Sequence, residues 1–293
     1  YEDSWEPCKG KPTNLAHEQY GYCQAGTSGL LLSDDTALIG TPGPYTWRGT
    51  VYVFSVSDDF LLRDKNFYYG PVLEGEAPVD KYSYLGMSVT AGQFLEGGRM
   101  VYAAGAPRAG GTGQVVLYAK NPSATVVMLQ VLQVIGGEQF ASSFGYEVAT
   151  ADVNGDGLPD LLVGAPFYFT REDGGAVYIY MNKDHCLNCS QPVKLTGKPE
   201  SRFGFAIANL GDLNKDGFED IAIGAPYEGN GTVYIYLGSK DGLILEPSQT
   251  IRAESFPGVW TLGHSLSGGL DLDQNGYPDL LVGGYESDSV VLL

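Results

Sequence analysis

No stretch of the 293-residue chain approaches the ~18 uninterrupted apolar residues of a membrane-spanning helix. The N-terminal YEDSWEPCKG lacks the pattern of a secretory leader, so the sequence reads as a soluble piece without targeting or anchoring segments. Basic residues are scarce: 17 Lys and Arg stand against 35 Asp and Glu, a net charge of −18. With no basic cluster to neutralise phosphates, nucleic acid is excluded as a partner. Histidine is limited to His17, His185 and His264, in unrelated contexts. What is abundant is glycine and tyrosine, 41 and 20 residues. Together with short apolar runs they favour turns and aromatic strands over long helices.

The acidic segment Asp152-Val-Asn-Gly-Asp-Gly-Leu-Pro-Asp160 returns as Asp212-Leu-Asn-Lys-Asp-Gly-Phe-Glu-Asp220 and as Asp271-Leu-Asp-Gln-Asn-Gly-Tyr-Pro-Asp279, at intervals of 60 and 59 residues. Hard divalent cations take oxygen ligands, and Ca2+ accepts six to eight of them. Side-chain oxygens come from loop positions 1, 3, 5 and 9: Asp152, Asn154, Asp156 and Asp160; Asp212, Asn214, Asp216 and Asp220; Asp271, Asp273, Asn275 and Asp279. The position-7 carbonyls of Leu158, Phe218 and Tyr277 complete the sets, and glycine at position 6 permits the sharp turn. Three Ca2+ would bring the net charge from −18 to −12. An EF-hand is excluded, because that loop has twelve residues, ends in Glu and lies between helices, whereas these run straight into Leu161-Leu-Val and Ile221-Ala-Ile. They read as structural β-hairpin cages.

Three further landmarks share this period. An aromatic or Leu precedes Gly at Leu85-Gly86, Phe144-Gly145, Phe203-Gly204 and Leu262-Gly263, the glycines 59 apart each time. A hydrophobic strand runs into Gly-Ala-Pro at Pro107, Pro166 and Pro226, and into Gly283-Gly-Tyr285; the strand is expected to stop there, since Pro donates nothing to a ladder. Alternating β runs follow Gly49, Gly113, Gly175 and Gly231. One unit thus reads strand, ion loop, strand, Gly-Ala-Pro turn, strand, connection, strand, which is a propeller blade. The units fall at about 24–80, 81–140, 141–200, 201–258 and 259–293. The first lacks the loop, and the second has Gln93-Phe-Leu-Glu-Gly-Gly98 in its place, so three ion sites are expected. The chain is read as part of one all-β propeller domain, covering four and a half to five blades and ending inside the last.

Four cysteines form two close pairs, Cys8 with Cys23 and Cys186 with Cys189. Even number and local pairing point to disulfides in an oxidising compartment. Cys186-Leu-Asn-Cys189 also has the spacing of a redox CxxC or half a zinc site, but no second CxxC or suitably spaced His accompanies it. Asn188-Cys-Ser190 and Asn230-Gly-Thr232 are glycosylation sequons. Gly263-His-Ser-Leu-Ser267 nearly spells a hydrolase nucleophile elbow, yet its register places it at the start of a strand, not at a strand-to-helix turn. No enzymatic activity is read from the chain.

The Phe-Gly, acidic nonapeptide and Gly-Ala-Pro landmarks together resemble the FG-GAP repeats of integrin α chains, from about Gly21 to the end. That resemblance implies a seven-bladed β-propeller on the extracellular part of a single-pass cell-surface glycoprotein. It implies Ca2+ in the later blades, a heterodimer with an integrin β subunit, and cell adhesion through an extracellular-matrix ligand bound with that partner. Only 14 residues separate Cys8 from Cys23, which leaves no room there for the inserted A-type domain of some members. Arg-Gly-Asp readers place an Asp pair before Ser-Tyr-Leu-Gly; here Asp80-Lys81-Tyr82 precede Ser83. Trp5-Glu-Pro-Cys8, Gln24-Ala-Gly-Thr-Ser28 and Gly43-Pro-Tyr-Thr-Trp-Arg-Gly49 are similar to the laminin-binding group, in which a stretch matching residues 55–82 tunes the ligand. Glu18, Trp47, Arg48, Asp80 and Lys81 are the candidate ligand contacts. The alternatives are an Arg-Gly-Asp-type receptor of the same family, or an FG-GAP propeller of a secreted phospholipase or lectin.

Overall fold

The computed structural model describes residues 6–57, 67–121, 127–187 and 189–293. It comprises two compact units, residues 1–91 with 100–146, and residues 92–99 with 147–293. The first holds an antiparallel sheet of β1 (Ser28–Leu31), β2 (Thr36–Thr41), β3 (Thr50–Ser55) and β4 (Phe67–Tyr69), and a second of β5 (Val89–Gly92), β6 (Val101–Ala106), β7 (Gln114–Ala119) and β8 (Gln130–Gly136). The second unit holds β9 (Glu147–Ala151), β10 (Asp160–Phe169), β11 (Gly174–Tyr180) and β12 (Val193–Thr196), then β13 (Ile207–Gly211), β14 (Asp220–Ala225), β15 (Thr232–Tyr236) and β16 (Gln249–Arg252). A three-stranded sheet of β17 (Leu262–Leu270), β18 (Asp279–Gly284) and β19 (Ser289–Leu292) completes it. Every sheet pairs its strands in chain order, as propeller blades do. The chain is all-β, as its repeats require. No helix among the described residues is long and apolar enough to cross a membrane.

Within each unit neighbouring blades bury their facing sheets against one another, so period two does not separate core from solvent in the central strands. Strand β11 is buried at every position. Leu162, Val177 and Ile179 pack with Ile207, Ile221 and Ile223 of the next blade in one core cluster, while Ala222, Val233 and Ile235 pack with Leu262, Leu280 and Val282 in another. In the first unit Leu38, Val51 and Val53 meet Tyr102, Val116 and Tyr118 in the same way. Each fully buried Val, Leu or Ile contributes about 1.5–3 kcal/mol over an exposed one.

The glycines that mark the period lie at these junctions. A Cβ on Gly105 would meet the Gly145 carbonyl oxygen at 1.9 Å, and one on Gly224 would meet that of Gly263 at 2.0 Å. The Gly-Ala-Pro glycine of one blade therefore touches the Phe-Gly glycine of the next, backbone against backbone. Parallel bridges from Gly113 to Phe144, Gly175 to Phe203 and Gly231 to Leu262 join the third landmark to the same point. All three landmarks converge on one blade-to-blade contact, which accounts for their constant spacing.

One expectation is corrected. Strand β10 does not stop at Pro166: it runs on to Phe169, which pairs with Gly174, and the ladder is irregular between Ala165 and Phe169. That irregularity accommodates a residue without an N–H inside a strand. Within residues 55–82, Phe67–Tyr69 forms β4, paired through Phe54 with Phe67 and Tyr52 with Tyr69.

Candidate metal loops and an aromatic cleft

Each acidic nonapeptide links the first and second strands of a blade: β9 to β10, β13 to β14, β17 to β18. Their internal hydrogen bonds are the same three times over. The position-1 carboxylate accepts the amide of the position-6 glycine, Gly157 to Asp152, Gly217 to Asp212 and Gly276 to Asp271, each at 2.8 Å. The position-3 oxygen accepts the position-5 amide, from Asp156 to Asn154 at 3.2 Å, Asp216 to Asn214 at 3.0 Å and Asn275 to Asp273 at 2.9 Å. Position 5 in turn accepts the amide of position 7. Side-chain oxygens are thus gathered inside a tight loop, and among the described residues the carboxylates of Asp271, Asp273 and Asp279 come within 4.8 Å of one another. Only oxygen donors are assembled. The set fits a hard divalent cation and offers nothing to a thiophilic one.

Position 9 has a role that sequence reasoning missed. Asp160 and Asp220 are fully buried. Asp160 accepts the amides of Val153, within its own loop, and of Asn182, at the end of β11, at 3.2 and 2.7 Å. Asp220 does the same with Leu213 and Gly238, both at 2.8 Å. In the first two loops the last carboxylate therefore ties the first hairpin to the third strand of its blade, whereas among the described residues Asp279 accepts only the amides of Leu272 and Asp273 in its own loop. Burial pushes the Asp160 carboxyl up to about 7; the two amides oppose this, and Asp156 and Asp152 add to it. Asp220 is shifted in the same direction for the same reasons. Sequence signal for the anchor existed only in the constancy of Asp at position 9. Position 4 is left-handed in all three loops, at Gly155, Lys215 and Gln274 (φ 67°, 62° and 63°), which only the first loop's glycine announced.

In the first unit Tyr45, Thr46 and Trp47 are successively left-handed, with φ of 54°, 61° and 53°. Such a run costs on the order of 1–2 kcal/mol per residue and persists only where surrounding contacts fix it. Here the Tyr45 and Thr46 amides donate to the Gln19 and His17 carbonyls, while the Tyr82 and Tyr84 amides donate to the Thr46 and Trp47 carbonyls. The turn presents Trp47 as the hub of an aromatic stack with His17, Tyr22 and Tyr82, at centroid distances of 6.2, 5.4 and 6.3 Å. Beside it a cleft of about 320 Å³ is lined by His17, Glu18, Gln19, Tyr45, Thr46, Lys81 and Tyr82.

The FG-GAP repeat family model matches residues 144–180 and 203–236. Integrin alpha-7 of Rattus norvegicus is 45% identical over 286 residues, covering 95% of this chain and 25% of its own length. Integrin alpha-6 of Gallus gallus is 41% identical over 98% of this chain and 27% of its own, and integrin alpha-3 of Cricetulus griseus 41% over 99% and 27%. The chain belongs to the integrin α family. It spans about a quarter of the length of these relatives.

Among the candidate ligand contacts of this integrin α chain, Glu18 and Lys81 line the same cleft, and Trp47 stacks beside it. Asp80 is exposed and its carbonyl accepts the Ser83 hydroxyl at 2.6 Å. Arg48 is placed differently: it is 3% exposed, bonded to the Val72 carbonyl at 2.8 Å and paired with Glu74 at 2.6 Å. Its neighbour Trp47 gave no hint that alternate residues of this turn point inward and outward. Both disulfides are formed, Cys8 with Cys23 and Cys186 with Cys189. Asn230 is half-buried in the turn between β14 and β15, and its carbonyl accepts the Leu262 amide. Asn188 and Trp5 lie outside the described residues. Ser265 sits within β17 opposite Gly283, which is no nucleophile elbow.

Proposed function

We propose that this chain is propeller sequence of an integrin α subunit that, together with an integrin β subunit, binds an extracellular-matrix protein, laminin, at the cell surface. Ca2+ in the loops of Asp152–Asp160, Asp212–Asp220 and Asp271–Asp279 would be structural. The single observation that carries this division of labour is the burial of Asp160 and Asp220 against the third strand of their blades. A divalent ion held by positions 1, 3, 5, 7 and 9 would offset the repulsion among these acids and the burial of the last one. The loops are therefore clamps on the scaffold, with affinity suited to abundant extracellular Ca2+. Recognition is left to irregular segments, and the cleft of Glu18, Lys81 and Tyr82 around Trp47 has the aromatic and charged make-up of a binding hot spot.

Laminin is favoured over an Arg-Gly-Asp ligand because Lys81-Tyr82, not an Asp pair, precede Ser83. A lysine there repels the ligand arginine that an Asp pair would hold. Co-purification of the full ectodomain with candidate integrin β subunits, followed by a matrix-protein panel, tests the reading. Laminin binding that Arg-Gly-Asp peptide leaves untouched is expected; competition by that peptide contradicts it.

A further inference from the structure

Beyond Pro166 the continued β10 carries Phe167 and Phe169, which are 42% and 70% exposed, before the chain turns at Thr170–Asp173 into β11. This tip is rigid. Asp173 accepts the Thr170 hydroxyl at 2.7 Å and the Thr196 hydroxyl at 2.9 Å, and the amides of Glu172 and Asp173 donate back to Thr170. The opposite wall is equally fixed: a Cβ on Gly174 would come within 2.4 Å of the Glu200 amide nitrogen, and the Ser201 hydroxyl donates to the Gly174 carbonyl at 2.7 Å. Between the walls lies a groove of about 750 Å³ whose lining includes Pro166, Phe167, Phe169, Arg171, Arg202 and Tyr227.

Arg202 is the unusual member. Its backbone is left-handed, at φ 52°, and its guanidinium carbon lies 4.1 Å from the Tyr227 ring centroid and 5.1 Å from that of Phe167. A guanidinium packed on rings keeps its N–H donors in its own plane, pre-organised for two-pronged capture of a carboxylate. Those donors make no hydrogen bond or ion pair among the described residues, and neither do those of Arg171. Arg252, by contrast, is paired with Glu228.

We propose that this groove is a docking site for a partner polypeptide that presents one carboxylate beside an apolar side chain. Arg202 takes the carboxylate; Phe167, Phe169 and Pro166 take the apolar group. Arginine, tyrosine and exposed phenylalanine around a rigid depression are the composition of an interface hot spot. Charge selects the occupant further. A chain of net charge −18 repels acidic segments over most of its surface, and Asp173 and Glu200 at the groove balance its two arginines. A polyacidic tail is thereby disfavoured, and a single carboxylate flanked by apolar residues fits. The site is separate from the metal loops and does not depend on the proposed laminin role.

The test uses the full ectodomain and two probes, acetyl-Gly-Leu-Glu-Leu-Gly-amide and its Gln counterpart, observed by saturation-transfer NMR. The Glu peptide is expected to bind saturably and at least fivefold more tightly than the Gln peptide. Arg202→Lys, which keeps the charge and loses the fork, and Phe169→Ser should each weaken it at least fivefold with the melting temperature unchanged. Phe169 is exposed enough that its variant keeps the test valid should Arg202→Lys fail to fold. Equal binding of both peptides, or unchanged binding by Phe169→Ser, would overturn the proposal. So would saturation by maltotriose with no peptide signal, which would make the aromatic surface a sugar platform.

Discussion

Gly164 lies against the backbone of Gly204: a Cβ on the first would meet the carbonyl oxygen of the second at 2.3 Å. No rotamer relieves a clash between a Cβ and a main chain, so the two blades would have to separate. Gly164→Ala is expected to cost about 1–3 kcal/mol, the usual penalty of overpacking. The measurement is the midpoint of thermal unfolding, compared with Gly136→Ala, where a Cβ meets nothing within 4 Å.

Glu228 accepts hydrogen bonds from Lys198 at 2.7 Å and Tyr234 at 2.6 Å, with Arg252 at 3.3 Å. Burial alone would raise its carboxyl, but Lys198, Tyr234 and Arg252 outweigh it and hold the group below the ordinary Glu range. A carboxyl depressed in the folded state stabilises above its unfolded pKa, about 4.3, and loses that contribution as pH falls through the folded value. Wild-type protein should therefore lose stability below about pH 4.3 more steeply than Glu228→Gln. Unfolding midpoints measured from pH 6 to pH 3 check this.

Asp220→Ala removes one ion ligand and leaves the Leu213 and Gly238 amides without their acceptor. We expect one fewer Ca2+ bound per chain and a loss of about 1–3 kcal/mol for each buried amide left unpaired. Metal content by mass spectrometry of the native protein separates the first effect from the second.

Tyr82 is 52% exposed and stacks on Trp47 at the cleft. Tyr82→Ala should leave stability within about 0.5 kcal/mol of wild type, as surface changes do. Matrix binding by the heterodimer is expected to fall at least tenfold. Binding that survives this change would move recognition away from the cleft.

The repeat was legible because its landmarks have local causes: an oxygen-rich loop, glycines where backbones touch, and β-branched runs that fill both faces of a blade. Asp152, Asp156 and Asp160 announced their loop by spacing alone. Partners supplied from far along the chain were not legible. Nothing near Asp160 points to the Asn182 amide, 22 residues on, and nothing in Trp47-Arg48 tells that one ring faces a cleft while the guanidinium turns inward to Val72 and Glu74. Local rules also misled where the fold overrode them. Pro166 ends a ladder by chemistry, yet Phe169 resumes pairing beyond it through a register shift.

Calcium titration of the chelator-stripped ectodomain, followed by melting temperature and by metal count, tests the claim that the three acidic loops clamp the scaffold. The account predicts three Ca2+ taken up by the loops of Asp152, Asp212 and Asp271, counted as the loss from a variant with all three of these residues changed to Ala, and a melting temperature that climbs with them. A melting temperature indifferent to Ca2+, or uptake unaffected by those three changes, would contradict it.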